Sequence, residues 1–257
     1  MDSRFMMGPT NLRKWSNCSL YNPMKGIPSI RIAGRFCGPP GTGNGGYVCG
    51  RLDNLTDYAT EVTLRQPPPL DRELQVNREG DQLLLMDGGQ LIASACPATV
   101  AFAAPAPPEW EEALEASRKF IGFESHPFPG CFVCGPERLA HNGLHIFAGR
   151  VGEEPLFASP WIPEEELANE EGYIRNEFLW AALDCPGAFA VSGDAMRKVV
   201  LGRMTASVKI QPAAGERCIV LAWPKGQDGR KFFSGTAIYN SKRKLCAVGD
   251  AVWIEIP

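Results

Sequence analysis

Val62-Thr63-Leu64-Arg65-Gln66-Pro67 is echoed in the other half of the chain by Val208-Lys209-Ile210-Gln211-Pro212, with one residue of slippage in the turn. Apolar side chains at alternate positions, stopped by proline, predict a strand with one buried face. After the first copy, Leu74 and Val76 alternate again, and residues 82–86 and 90–95 do the same, so four consecutive antiparallel strands are expected from residue 58 onward. After the second copy, which opens a strand over 205–210, strands are expected at 218–223, 232–239 and 251–256. Asp71-Arg72 before one strand likewise matches Glu216-Arg217 before another.

Upstream of each copy lies an apolar helical stretch. In the first half it is Asn44-Gly45-Gly46-Tyr47-Val48-Cys49-Gly50-Arg51-Leu52, entered through the turn Gly38-Pro39-Pro40-Gly41-Thr42-Gly43. Its glycines weaken the helical propensity without abolishing it. In the second half it is residues 177–191, predicted to be interrupted at Pro186-Gly187, with a strand at 144–147 ahead of it. Residues 1–30 have no sustained periodicity, and an amphipathic connector helix is expected over 109–120. The chain therefore reads as α+β, with an N-terminal domain over 1–125 and a C-terminal one over 126–257. In each, a curved antiparallel sheet would wrap a central helix. One such sheet leaves a long unpaired edge, which pairing with its twin would protect. A single mixed α+β domain with chance internal similarity is the alternative.

Composition narrows the function. At 257 residues, 44% hydrophobic and 21% charged, the chain is an ordinary globular one. A net charge of −3 supplies no basic field for nucleic acid. No apolar run is long enough to span a membrane, and residues 1–20 lack the apolar middle of a secretion signal. Nine scattered cysteines fit reduced thiols in the cytoplasm better than a disulfide framework.

Cys131-Phe132-Val133-Cys134-Gly135, followed by Asn142-Gly143-Leu144, resembles the opening signature of many hotdog thioesterases. In those families the central helix starts with His-Gly-Gly and carries an acid nine residues after the His. Here Arg175-Asn176-Glu177 stands at that start, and Ala181-Ala182-Leu183-Asp184 matches the Ala-x-Leu-Asp end of the pattern. In the first half Asn44-Gly45-Gly46 keeps both glycines, with Asp53 nine residues on. This half is similar to the first hotdog of the double-hotdog acyl-CoA thioesterases, in which the working Asp comes from the second. The resemblance implies a tandem double hotdog that hydrolyses an acyl-CoA or related thioester, without a cofactor and as a possible homo-oligomer. Two departures support the alternative of a non-catalytic acyl-ligand binder: the second half lacks the paired glycines, and no Gln occurs around Ser234-Gly235-Thr236-Ala237.

Thioester hydrolysis needs an attacking oxygen nucleophile and donors for the carbonyl oxygen as it becomes negative. A helix N-terminus offers free N–H groups and a positive dipole end, which makes Gly45 and Gly46 the expected oxyanion donors, with Asn176 as a side-chain substitute in the other half. Asp184, surrounded by Leu179, Trp180, Ala181, Ala182, Leu183 and Phe189, is the expected base or nucleophile, its pKa raised by partial desolvation. Thr205 is a candidate for orienting water. Asn44, Arg175, Tyr47, Trp180 and Arg203 are candidates for substrate contact, and Arg197, Lys198 and Arg203 for CoA phosphates. Asp53, beside Asn54 and Asp57, reads as a solvated helix end.

Other chemistries fit less well. Gly38-Pro39-Pro40-Gly41-Thr42-Gly43-Asn44-Gly45 imitates a phosphate loop but has Asn44 and Gly45 where Lys and Ser/Thr belong. Cys131, Cys134, His141 and His145 would satisfy a tetrahedral zinc site in ligand type, but the gap between Cys134 and His141 is short, so a metal-free structural knuckle is expected. No Asp-x4-His arrangement of the hotdog hydratases is present.

Overall fold

A computed structural model describes residues 28–101 and 103–257. The early part of the irregular lead-in falls outside the described residues. Eleven strands form one sheet: β1 (Ser29–Arg31), β2 (Thr60–Leu64), β3 (Glu73–Glu79), β4 (Gln82–Asp87), β5 (Gln90–Pro97), β6 (Gly149–Arg150), β7 (Phe157–Trp161), β8 (Val199–Val208), β9 (Cys218–Asp228), β10 (Lys231–Tyr239) and β11 (Leu245–Glu255). The helices are α1 (Gly45–Asp53), the connector α2 (Trp110–Arg118) and α3 (Asn176–Ser192). Strand order is β1-β3-β4-β5-β2-β8-β11-β10-β9-β7-β6.

The order contains the same winding twice. Strand, helix, then four strands in sequence give β1-β3-β4-β5-β2 on one side and, read inward from the other, β7-β9-β10-β11-β8. The two echoing segments, β2 and β8, meet at the seam, where Thr60 pairs with Ala206 and Val62 with Met204. Their ends make identical bonds: Arg65 and Gln66 amides both donate to the Ile92 carbonyl, and Lys209 and Ile210 amides both donate to that of Cys246. The equivalence that lays Leu64 on Val208 carries the Thr60–Ala206 pair onto Met204–Val62, a local two-fold relation. The sheet thus crosses the seam without an exposed edge there, and among the described residues it ends at the short strands β1 and β6.

Apolar side chains from one face of this sheet close over α1 and α3, which pack against each other. Gly46 and Gly50, one turn apart on α1, make that approach possible. A Cβ at Gly46 would lie 2.5 Å from the Asp184 Cβ, and one at Gly50 would lie 2.6 Å from the Glu177 Cα.

The structure corrects three expectations. Residues 144–147 are not a strand. Leu144 and Ile146 are buried and His145 is not, as in a strand, but their amides donate to the Phe132 and Val133 carbonyls of the cysteine turn, and His145 has φ 51°. The strands of this region are β6 and β7 instead. Second, α3 runs through Pro186-Gly187 unbroken for 17 residues. Proline there removes one helical N–H, and Gly187 leaves room for the sheet: a Cβ would meet the Ser234 hydroxyl at 2.4 Å and the Trp253 indole nitrogen at 3.1 Å. Third, β2 pairs with β5 and β8, not with the β3 that follows it in sequence.

Candidate functional site

The N-terminus of α1 and the middle of α3 meet at Asn44 and Asp184. Asn44 is the N-cap of α1 and is 1% exposed. Its Oδ1 accepts the Tyr47 amide at 2.9 Å, and its Nδ2 donates to Asp184 Oδ2 at 2.8 Å. Only a side chain with both an acceptor and a donor performs the two tasks. The Gly46 amide donates to the same Asp184 oxygen at 2.9 Å. Asp184 is 3% exposed, and its Oδ1 is buried with no hydrogen-bond partner among the described residues. Burial pushes its carboxyl up to about 7. The Gly46 amide and Asn44 side chain oppose that rise, and the neighbouring Cys131 adds to it.

Asp184 lies in the wall of a pocket of about 420 Å³. Asn44 and Gly45 form part of the same wall, and Leu201, Phe189 and Trp253 supply apolar surface. Arg65 and Arg197 also line it, Arg197 lying over the Phe232 ring and paired with Glu255 at 3.1 Å. Cys131, Cys134 and Cys185 complete the wall beside Asp184, with the Cys131 and Cys185 sulfurs 3.5 Å apart. The Cys134 and Cys185 side chains hold the Cys131 thiol well below the usual range. These thiols were not associated with Asp184 by sequence reasoning, since Cys185 stands far from Cys131 in the chain. Its position next to Asp184 was the available signal.

The structure thus brings Asn44, Gly45, Gly46 and Asp184 together. Arg197, a candidate for CoA phosphates, lines the same pocket, but Asn176, Thr205, Arg175, Tyr47, Trp180, Lys198 and Arg203 do not. Asn176, the suggested substitute donor, sits at the far end of the helix pair and donates to Asp53 Oδ2 at 2.7 Å. Trp180 is buried and donates its indole N–H to the same oxygen at 3.2 Å. Asp53 is therefore not a solvated helix end: burial raises its pKa against the bonds it accepts. Tyr47 is buried and stacks on Phe36, with ring centres 4.3 Å apart. Arg175 caps the start of α3 over the Phe178 ring and donates to the Glu166 and Leu167 carbonyls. Arg203 and Thr205 lie on the seam and both engage Glu61. Lys198 donates to the Pro257 carbonyl. Gly46 presents its amide to Asp184 while its Cα faces α3. Among the zinc candidates, His141 faces Glu164 at 2.9 Å and His145 the Leu139 carbonyl at 3.1 Å, away from the thiols.

The fold is that of the hotdog proteins. A solved structure from Alicyclobacillus acidocaldarius, described as a conserved protein of unknown function with a hot dog fold, is 11% identical at a TM-score of 0.60, covering 89% of this chain and 92% of that one. The tesB protein of Mycobacterium avium subspecies paratuberculosis is 10% identical at a TM-score of 0.58, over 89% and 92% of the two chains. No protein-family profile matches the sequence, and no curated protein matches it. No helix among the described residues is long and apolar enough to cross a membrane.

Proposed function

We propose that the chain is a tandem double hotdog, divided near residue 125, that hydrolyses an acyl thioester such as an acyl-CoA. The repeated winding and the two-fold relation at the β2–β8 seam support the tandem reading. One observation carries the catalytic reading: a buried carboxyl in a pocket wall, fixed through one oxygen and unpartnered at the other, with a pKa of about 7. A group held so can take a proton from water at neutral pH or attack the thioester carbonyl itself. As base, Asp184 accepts a proton from water while the water oxygen adds to the carbonyl carbon. Collapse of the adduct then expels the thiolate, which the acid protonates. Gly45, in the first turn of α1 where no intrahelical acceptor exists, is the expected donor to the carbonyl oxygen. The apolar wall suits an acyl chain, and Arg65 and Arg197 suit the phosphates of CoA.

A second reading has a specific observation behind it. The Gly46 amide, an expected oxyanion donor, is engaged by Asp184, as it would be in a ligand-binding protein that does not turn over. Release of free thiol from acyl-CoA esters of graded length separates the two readings. Turnover that disappears in Asp184→Asn supports hydrolysis. Saturable binding without thiol release by the wild-type protein sinks it.

A further inference from the structure

We propose that Cys131, Cys134 and Cys185 form a metal site for one thiophilic divalent cation of the Zn2+ kind, with a fourth position open to the pocket. The three sulfurs lie within 4.8 Å of one another, all in buried residues. Zinc bound tetrahedrally at about 2.3 Å from sulfur sets its thiolates about 3.8 Å apart. The Cys131–Cys185 separation of 3.5 Å and the 4.8 Å limit on the others bracket that value, so adjustments within side-chain rotation close the site.

The frame around the thiols is rigid. Cys131 and Cys134 sit in a tight turn closed by the Gly135 amide donating to the Cys131 carbonyl at 2.9 Å. The Phe132 and Val133 carbonyls between them are fixed by the Leu144 and Ile146 amides. Cys185 arrives from the middle of α3, so the cation would tie the turn to the central helix. Asn44 Nδ2 lies 3.7 Å from the Cys185 sulfur, a further donor to a thiolate there. Three protein ligands and a solvent-facing fourth position are the pattern of sites that bind exchangeable ligands, whereas closed structural sites use four. Loading replaces up to three thiol protons with one cation.

The metal site stands on the sulfur geometry alone. Only the role of its fourth position, as a seat for water or a thioester oxygen next to Asp184, rests on the proposed hydrolysis. The test uses full-length protein purified under a phosphine reductant without chelator, then incubated with Zn2+ and desalted. The expected result is one equivalent of zinc per chain by mass spectrometry. After replacement with Co2+, thiolate-to-cobalt charge-transfer bands and intense tetrahedral d–d bands should appear. Cys185→Ser should weaken binding by more than the roughly 10–100-fold typical of a supporting residue, while Cys49→Ser leaves it unchanged. The cobalt spectrum of the wild-type protein needs no variant to fold. Substoichiometric metal after loading, cobalt without thiolate bands, full retention by Cys131→Ser/Cys134→Ser/Cys185→Ser, or a Cys131–Cys185 disulfide in protein isolated from cells would each overturn the proposal. Metal retained by Asp184→Asn is expected. A metal-loaded wild-type protein without turnover sinks the hydrolysis reading and leaves the site intact.

Discussion

Asn176 donates to Asp53 across the helix pair at 2.7 Å, and the contact repeats, at the opposite end, the one by which Asn44 holds Asp184 at 2.8 Å. Two asparagines at helix starts thus each grip an aspartate of the other helix. They differ in surroundings: the Asp184 end opens on a pocket, whereas the Asp53 end is filled by the Trp180 indole.

Removing the carboxylate at the open end should abolish chemistry without dismantling the fold. Asp184→Asn is expected to lower kcat/KM for acyl-CoA hydrolysis at least about 100-fold, the lower range for a positioned proton acceptor. Thiol release measures it, with far-UV circular dichroism as the folding control.

The same aspartate sets two pH dependences. With its pKa raised from 3.8 to about 7, kcat/KM should climb as pH rises through about 7. Stability should move the other way. Between those two values the folded protein holds a proton that the unfolded chain has released, so stability falls as pH rises across that window. A displacement of that size corresponds to about 4 kcal/mol. Asp184→Asn cannot titrate, so its melting temperature should gain on the wild type between pH 4 and pH 8. A constant difference between the two melting curves would refute the buried ionisation.

Asn44→Ala removes a helix cap and one donor to Asp184 together. Loss of the cap is expected to cost about 1 kcal/mol in urea unfolding. Loss of the donor should move the rising limb of the pH–rate profile upward, because the ionised carboxylate loses a hydrogen bond.

Asp53→Asn tests the closed end. It lies outside the pocket that Asp184 lines, so kcat/KM and the pH profile should stay as in the wild type, and only the melting temperature should change.

Gly50→Ala places a methyl 2.6 Å from the Glu177 Cα and 2.8 Å from the Trp180 Cβ, so the helices must separate. Overpacking of this kind costs about 1–3 kcal/mol, measurable as a lower urea midpoint.

The strands and α1 were legible because alternation and proline stops are local signals. The echo between Val62–Pro67 and Val208–Pro212 even marked the two segments that join at the seam. Residues 144–147 misled for a physical reason: burial alternates there as in a strand, but the partner is the cysteine turn, and no local pattern specifies which backbone answers an amide. Pro186-Gly187 misled in the opposite sense, since a helix breaker in isolation becomes a clearance for Trp253 once the sheet is in place. Asp184 stood out as an acid in an apolar helix. That Gly46 would serve it, and that Asn176 would turn to Asp53, depended on how two helices distant in sequence cross.

The crossing also fixes when the Asn44–Asp184 contact can form during synthesis. A ribosome that has completed α1 has made Asn44 and Gly46 but not the Asp184 carboxylate to which both donate. The grip closes only after α3 emerges and docks on α1, so a chain released before α3 is made leaves the Asn44 Nδ2 and the Gly46 amide without this acceptor.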